Sequence, residues 1–239
     1  MRILLLNPNT SDTLTMQIEQ LAGPYMLPGT RLMAMNPTVG PRLISSVYDE
    51  LLSAEPTLEL ARRELALHDA FIIACYSDHP VIYALRELTT KPVLGIAEAS
   101  MRMASMIAPT FSIVSTQPRW RQLLWQAVER YGLTAFCSSI RTIGSATVVD
   151  RAQSQDRQLD AVMAAARAAV MDDGAAAICL GGAVMTGYKE PLEQALGVPV
   201  LDGVSCALLL LQGMHSPAWS RRAPPTGRSL DGLCDIAWP

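Results

Sequence analysis

The stretch "FIIACYSDHP", residues 71–80, joins a short apolar run to a polar loop that begins at a cysteine. A brief apolar run rich in β-branched residues is typical of a buried strand in a parallel sheet. In open α/β folds, ligands bind beyond the carboxyl ends of such strands. The stretch therefore predicts a parallel α/β fold. It also makes Cys75 and Ser77, with Asp78 and His79 as further possibilities, candidate site residues.

An internal repeat extends this pattern over most of the chain. "ACYSDHP" is followed by "PVLGIAEA", and "CLGGAVM" is followed by "PVLDGVSCA". Cys75 precedes Pro92 by 17 positions, and Gly182 precedes Pro199 by 17, so one shift of 107 (182 − 75) relates both pairs. Nearly the same shift brings "ILLLNPNT" opposite "FSIVSTQP". The repeat predicts duplicated α/β halves, although any two strand–helix segments share some likeness.

Strand-like and helix-like segments alternate along the chain, which predicts parallel sheets with helices on both faces. We expect strands at 3–6, 71–75, 92–96, 111–114, 175–180 and 199–201, and helices at 10–22, 45–68, 99–107, 120–131, 153–171, 187–195 and 204–212. The expected first half is 1–97, completed by 203–239, and the second is 98–202. Facing halves would bring the loops "NPNTS", "CYSDHP", "STQP" and "GGAVMTG" into one cleft, where their polar groups suit a carbonyl or anion. Simple helix capping is the alternative.

Composition excludes several classes of function. The net charge is -3 and the arginines are scattered, so no nucleic-acid partner is expected. No apolar run reaches the roughly 18–20 residues of a membrane helix, and the first apolar run is too short for a secretory signal. We therefore expect a cytoplasmic protein that is not membrane-bound. The five cysteines include no CxxC pair, which argues against a metal site or a disulfide framework.

Seven motifs together resemble the aspartate/glutamate racemase superfamily, and most of all its hydantoin and allantoin racemase branch: "NPNTS", "TVGPRLISSVYDE", "ACYSDHP", "GIAEAS", "FSIVST", "LGGAVM" and "VPVLDGV". The resemblance covers about residues 1–212. It implies two pseudo-symmetric Rossmann-like halves with an active-site cleft between them. It further implies acid/base catalysis without metal or organic cofactor, a small substrate (a hydantoin, ureide or small carboxylate) and a homo-oligomer.

The resemblance also implies roles for individual residues. Such a racemase places one thiol on each face of a carbon next to a carbonyl, where one thiol removes a proton and the other returns one. The first thiol corresponds to Cys75. The expected substrate contacts are Asn7, Tyr48 at the mouth of the cleft, Ser77, Ser115, Thr116, Gly181, Gly182 and Ala183.

The chain departs from this pattern at the second thiol. The family string "LGCAGM" corresponds here to "LGGAVM", which places Gly182 where the second cysteine is expected. The internal repeat pairs the same glycine with Cys75. Cys179 is a possible substitute, but it lies inside an apolar run and is expected to be a buried strand residue.

Three functions are compatible with a single thiol. The first is a hydantoin- or allantoin-type racemase in which another group replaces the second cysteine. The second is a decarboxylase or isomerase of small dicarboxylates, similar to the arylmalonate decarboxylases or maleate isomerases. Arylmalonate decarboxylases have a glycine at the first of the two positions and a cysteine at the second. This chain has the reverse, Cys75 and Gly182, so the same chemistry would protonate the other face and give the opposite enantiomer. The third is a non-catalytic binder of a small molecule.

Overall fold

The protein, described here from a computed structural model over residues 1–144 and 154–215, contains two four-stranded parallel sheets. The first has the order β2-β1-β3-β4, with β1 Arg2–Leu6, β2 Arg31–Met35, β3 Ala70–Ile73 and β4 Val93–Gly95. The second has the order β6-β5-β7-β8, with β5 Phe111–Ser115, β6 Cys137–Thr142, β7 Ile178–Gly181 and β8 Val200–Asp202. The predicted α/β class with parallel sheets is confirmed.

The register of the strands confirms the repeat. Ile73 of β3 pairs with Gly95 of β4, and Leu180 of β7 pairs with Asp202 of β8. Both residues of the first pair lie 107 positions before those of the second (180 − 73 and 202 − 95). Carrying this shift two residues past β3 aligns Cys75 with Gly182. The two loops therefore leave equivalent positions of the two sheets.

Eight helices connect and cover the strands in the described part of the chain. They are α1 Asp12–Ala22, α2 Val47–Glu64, α3 Val81–Leu88, α4 Ile96–Ile107, α5 Trp120–Arg130, α6 Ser154–Met171, α7 Lys189–Leu196 and α8 Gly203–Met214, with short 3-10 helices at Gly23–Tyr25 and Ala183–Tyr188. The side chains of Ser11 and Ser46 cap α1 and α2 by accepting from the first-turn amides. Each predicted helix overlaps an observed one. None of these helices is long and apolar enough to cross a membrane.

The hydrophobic core has three parts. The central cluster joins the two sheets and includes buried residues of α4 and α8 together with Ile3, Ile72, Ile113 and Cys179 of the strands. A second cluster forms where α6 and α7 cover the second sheet. A third forms where α2 and α3 cover the first sheet. The continuous central cluster fixes the two sheets relative to each other, and with them the loops at their carboxyl ends. The predicted contribution of 216–239 to the first half lies outside the described residues.

Candidate active site

A pocket of about 100 Å³ opens where loops from both sheets meet. A space of this size holds several water-sized groups, which suits a small molecule. Its walls come from the loops after β1, β3, β5 and β7 and from the segment before α2. The lining residues are Pro8, Asn9, Leu14, Leu43, Ile44, Ala74, Cys75, Tyr76, Ser77, Ser115, Thr116, Gln117, Trp120, Gly181, Gly182 and Ala183. The pocket brings together six of the predicted site residues besides Cys75 itself.

Cys75 lies two residues beyond the end of β3 and its side chain is partly exposed to the pocket. Its Sγ is 3.0 Å from Oγ of Ser77. The pKa of the thiol is raised to about 12, because burial and the nearby charge of Glu50 raise it more than hydrogen bonding from Ser77 lowers it. The resting thiol is therefore protonated at neutral pH. It can donate a proton directly, whereas it must lose one before acting as a base.

Glu50 is a neighbour of this thiol that the sequence did not single out. It lies in α2, is 8% exposed, and the hydroxyl of Ser77 lowers the pKa of its carboxyl group. Its Oε1 is buried without a hydrogen-bond partner. Desolvation, with the charges of Asp78 and Asp49, raises the pKa of Glu50. From the sequence, an acidic residue near the start of a helix is explained by the helix dipole alone, so it gives no signal of a buried site.

Asp78 holds the loop after Cys75 in an unusual conformation. Its φ is +57°, in the left-handed region that non-glycine residues rarely adopt. Its carboxylate accepts hydrogen bonds from the hydroxyls of Tyr83 and Tyr131 and pairs with Arg130. Asp78 does not cap the following helix, because Pro80 is the N-cap of α3 and no side-chain cap is formed. Asp78 instead ties the Cys75 loop to α5.

The loop after β7 brings Gly182 to the same pocket as Cys75. The hydroxyl of Ser115 donates to the carbonyl oxygen of Gly181 at 2.8 Å, which joins the loops after β5 and β7. Gly182 has φ 172° and ψ 140°, an extended conformation open to any residue. Among the described lining residues, the loops after β5 and β7 contain no thiol, carboxyl or imidazole group.

Two predicted substrate contacts lie outside the lining of the pocket. Asn7 is fully buried behind it and donates from Nδ2 to Oδ1 of Asn9 and to Oγ1 of Thr15, each at 3.0 Å. Asn9, two residues on, lines the pocket instead. Tyr48 is 69% exposed in the first turn of α2, which directs it to the surface, while Ile44 of the preceding segment forms the wall. Strand alternation places residues 7 and 9 on the same face, so the sequence carries no signal that distinguishes Asn9 from Asn7.

The remaining candidates are also buried away from the pocket. His79 is fully buried, its Nε2 lies 2.8 Å from Oγ of Ser53, and burial lowers its pKa to about 4, so the ring is neutral. Cys179 is fully buried within β7, as expected for an inert strand residue.

Two residues that line the pocket were not predicted from the sequence. Gln117 and Trp120 belong to none of the positions that the motifs singled out. No group of three potential metal ligands occurs among the described residues.

Residues 3–211 match the family described as Asp/Glu/Hydantoin racemase. The chain belongs to this family. It is 40% identical over 205 residues to a hydantoin racemase of Pseudomonas sp. (strain NS671), covering 85% of this chain and 82% of that protein. It is 38% identical over 216 residues to a hydantoin racemase of Paenarthrobacter aurescens, covering 90% of this chain and 91% of that protein. The structure of allantoin racemase from Klebsiella pneumoniae superposes with a TM-score of 0.86 at 34% identity, covering 92% of this chain and 89% of that one.

These comparisons confirm the predicted superfamily and its hydantoin and allantoin branch. They identify the chain as an enzyme of the racemase type. The arylmalonate decarboxylase structure is more distant, with a TM-score of 0.64 at 18% identity, and that likeness concerns the fold alone.

Proposed function

We propose that this family member is a cofactor-independent racemase of a small cyclic ureide, either a hydantoin or allantoin. The observation that carries the proposal is the position of Cys75, which lines a small pocket together with the Gly181–Ala183 loop of the other sheet. The names of the relatives support the substrate class. The reaction would remove and return a proton at the ring carbon next to a carbonyl group.

Cys75 would act on one face of that carbon. As a thiolate it removes the proton, and as a thiol it returns one. The developing enolate oxygen needs hydrogen-bond donors. Asn9 is placed to supply them: its Oδ1 already accepts from Nδ2 of Asn7 and from the amide of Ser11 at 2.9 Å, which leaves its own Nδ2 for a ligand. Asn7 would thus orient Asn9 rather than contact the substrate.

The other face of the carbon would exchange its proton with a water molecule. Thr116 and Gln117 line the pocket on the same side as Gly182 and provide polar groups that could hold such a water. Water is a weaker acid and a weaker base than a thiol, so this side of the reaction would be the slower one. The substitution at Gly182 therefore predicts unequal rates for the two enantiomers, not the absence of racemisation.

The direct test follows each enantiomer of allantoin and of a 5-substituted hydantoin in D₂O. Proton NMR reports exchange at the ring carbon, and circular dichroism reports loss of optical activity. We expect both enantiomers to exchange and racemise, at different rates, and dialysis against EDTA to leave the rates unchanged. Cys75→Ser should reduce both rates by at least about 10²-fold. Exchange confined to one enantiomer, or full activity of Cys75→Ser, would rule the proposal out.

A single-thiol decarboxylase or isomerase of small dicarboxylates is the second candidate. The raised pKa of Cys75 favours it, because a neutral thiol is suited to protonating a carbanion from one face. Release of carbon dioxide from an arylmalonate, or isomerisation of maleate, would support it. Thermal stabilisation by these compounds without turnover would instead indicate a binding protein.

We further propose a cytoplasmic homo-oligomer. Free thiols at the four described cysteines suit a reducing compartment. Val47, Tyr48 and Leu51 are exposed apolar side chains at the start of α2, a feature typical of surfaces that meet other subunits. Sedimentation of a single monomeric species at micromolar concentration would contradict the assembly.

A further inference from the structure

A second cavity, of about 320 Å³, lies behind the loop that carries Cys75. It is lined by Val47, Glu50, Leu51, Ser77, Asp78, Pro80, Tyr83, Leu123, Gln126, Ala127 and Arg130. Ser77 lines both this cavity and the candidate active site. The Ser77 side chain is therefore the partition between the two spaces.

Three groups lie along that boundary. Sγ of Cys75 is 3.0 Å from Oγ of Ser77. Ser77 and Glu50 line the second cavity together, and the Ser77 hydroxyl lowers the pKa of the Glu50 carboxyl group. Glu50 lines the second cavity, is more than nine-tenths buried, and keeps Oε1 without a partner. An unsatisfied buried carboxyl oxygen destabilises a protein, so its presence calls for a functional explanation.

We propose that Glu50 is a proton-relay residue, which exchanges a proton with the Cys75 thiol through the hydroxyl of Ser77 and with solvent through the second cavity. The inference rests on the proposed racemase function. It adds a residue that acts on the thiol through Ser77 from the second cavity and does not touch the substrate.

A one-thiol racemase needs such a route. Cys75 rests as a thiol, so it must lose its proton before it can remove one from the substrate, and the water that supplies a proton to the other face is left as hydroxide. The S–H proton passes to Oγ of Ser77 while the Ser77 proton passes to a Glu50 oxygen, and Glu50 then releases its proton to water in the second cavity. Racemisation in the opposite direction uses the same proton transfers in reverse order. Only protons move: Ser77 receives a proton from Cys75 as it gives one to Glu50, the proton released by Glu50 neutralises the hydroxide, and Cys75 is protonated again by the substrate proton.

The charges around Glu50 suit this role. Asp49 and Asp78 disfavour its carboxylate, and burial raises its pKa, so its protonated form is accessible closer to neutral pH than that of a surface glutamate. The other groups facing it from the surrounding elements are Tyr83 and Arg130, both engaged with Asp78, and the neutral ring of His79 on Ser53. The negative charge of Glu50 also raises the pKa of Cys75, so the two groups share one proton rather than both ionising.

The test compares Glu50→Gln and Ser77→Ala with Glu55→Gln, which makes the same change at an exposed position of the same helix. Two quantities are measured for each variant: turnover of the racemised substrate, and the pH dependence of Cys75 alkylation by iodoacetamide, followed by mass spectrometry of its peptide. Thermal unfolding checks that each variant is folded.

We expect Glu50→Gln to lower kcat by about 10- to 100-fold with KM changed less than about twofold. The same substitution should move the alkylation midpoint down by about one pH unit, because a negative neighbour is lost. Ser77→Ala should also lower kcat but should move the midpoint up, because the hydrogen bond to the thiolate is lost. A purely structural role would not give opposite pH shifts with the same loss of turnover.

A kcat for Glu50→Gln equal to that of Glu55→Gln would overturn the relay, and so would an unchanged alkylation midpoint. The alkylation measurement needs no substrate. If the wild-type protein racemises neither hydantoins nor allantoin, the proposed function fails, while the alkylation midpoint alone still decides whether Glu50 is coupled to Cys75.

Discussion

Cys75 and Gly182 occupy equivalent positions in the two halves, yet one carries the only thiol of the described pocket lining and the other has no side chain. The conformation of Gly182 does not require glycine, because its φ of 172° is extended backbone. The backbone conformation therefore does not explain why a glycine stands at this position.

Gly182→Cys should accordingly introduce a second thiol without strain in the backbone. We expect the slower enantiomer to exchange at least about tenfold faster in D₂O, since a thiol replaces water as the acid and base on that face. Gly182→Ser is the matched control, with a side chain of similar shape and no thiol. Equal rates for the serine and cysteine variants would show that this position does not face the reacting carbon.

At the residue scale, the sequence predicted the groups that follow a strand within a recognisable motif. Cys75, Ser77, Thr116 and the Gly181–Ala183 loop all line the pocket, although their roles remain predictions. It did not predict Glu50, because a contact between a helix and a distant loop depends on tertiary packing. The sequence analysis named Asn7, and not Asn9, as a substrate contact. Strand periodicity does not show where β1 ends, so it does not show which of the two asparagines reaches the pocket.

At the scale of elements, the loop between β3 and α3 is held in place by α5. Asp78 supplies the connection, with its left-handed backbone and its bonds to Tyr131, Tyr83 and Arg130. Residues held in such conformations cluster where a loop must position a functional group. Cys75 is three residues away, so this connection sets the position of the thiol.

Replacing Asp78 should separate the contribution of its charge from that of its backbone conformation. Asp78→Asn keeps a side chain that tolerates a left-handed backbone, and we expect it to cost about 1–3 kcal/mol through weaker buried hydrogen bonds. Asp78→Ala loses those bonds and also disfavours the backbone, at about 1–2 kcal/mol more. Urea unfolding measures both costs. Equal stability of the two variants would show that the backbone conformation is unstrained.

The elements that the predicted segments did not include are the short helix α3 and the strands β2 and β6. The two strands, "RLMAM" and "CSSIRT", consist mainly of exposed and half-buried residues. Neither has a continuous apolar run, so periodicity did not reveal them, whereas β4 and β8, which are also edge strands, were predicted from theirs. The predicted strands have bounds shifted by a few residues. Helix α2 ends at Glu64 rather than at His68, because the chain must turn there to enter β3.

At the scale of the whole molecule, α4 and α8 lie between the two sheets. Each begins directly after the last strand of one sheet, and they pack against each other in the central cluster. Helix α4 contacts β4 of the first sheet and β7 and β8 of the second, and α8 contacts β3 and β4 of the first and β7 and β8 of the second. The division at residues 97 and 202, with α8 assigned to the first half, stays a prediction.

The two helices cross at Ile96 and Gly203, which the 107-residue shift makes equivalent. A Cβ at Gly203 would lie 2.5 Å from the carbonyl oxygen of Ile96 and 2.7 Å from its Cβ, so only glycine allows this approach. Gly203→Ala should force the helices apart and cost about 3 kcal/mol of unfolding free energy. Because the crossing also sets the distance between the loops of Cys75 and Gly182, turnover should fall with it.

Gly213→Ala is the matched control, because it lies in the same helix and a Cβ there meets nothing within 4 Å. We expect it to be neutral or to stabilise by up to about 1 kcal/mol through helix propensity. Urea unfolding followed by circular dichroism gives both free energies, and the racemisation assay gives both activities. If Gly203→Ala were as stable and as active as Gly213→Ala, the close crossing of α4 and α8 would not be what fixes the two halves around the pocket.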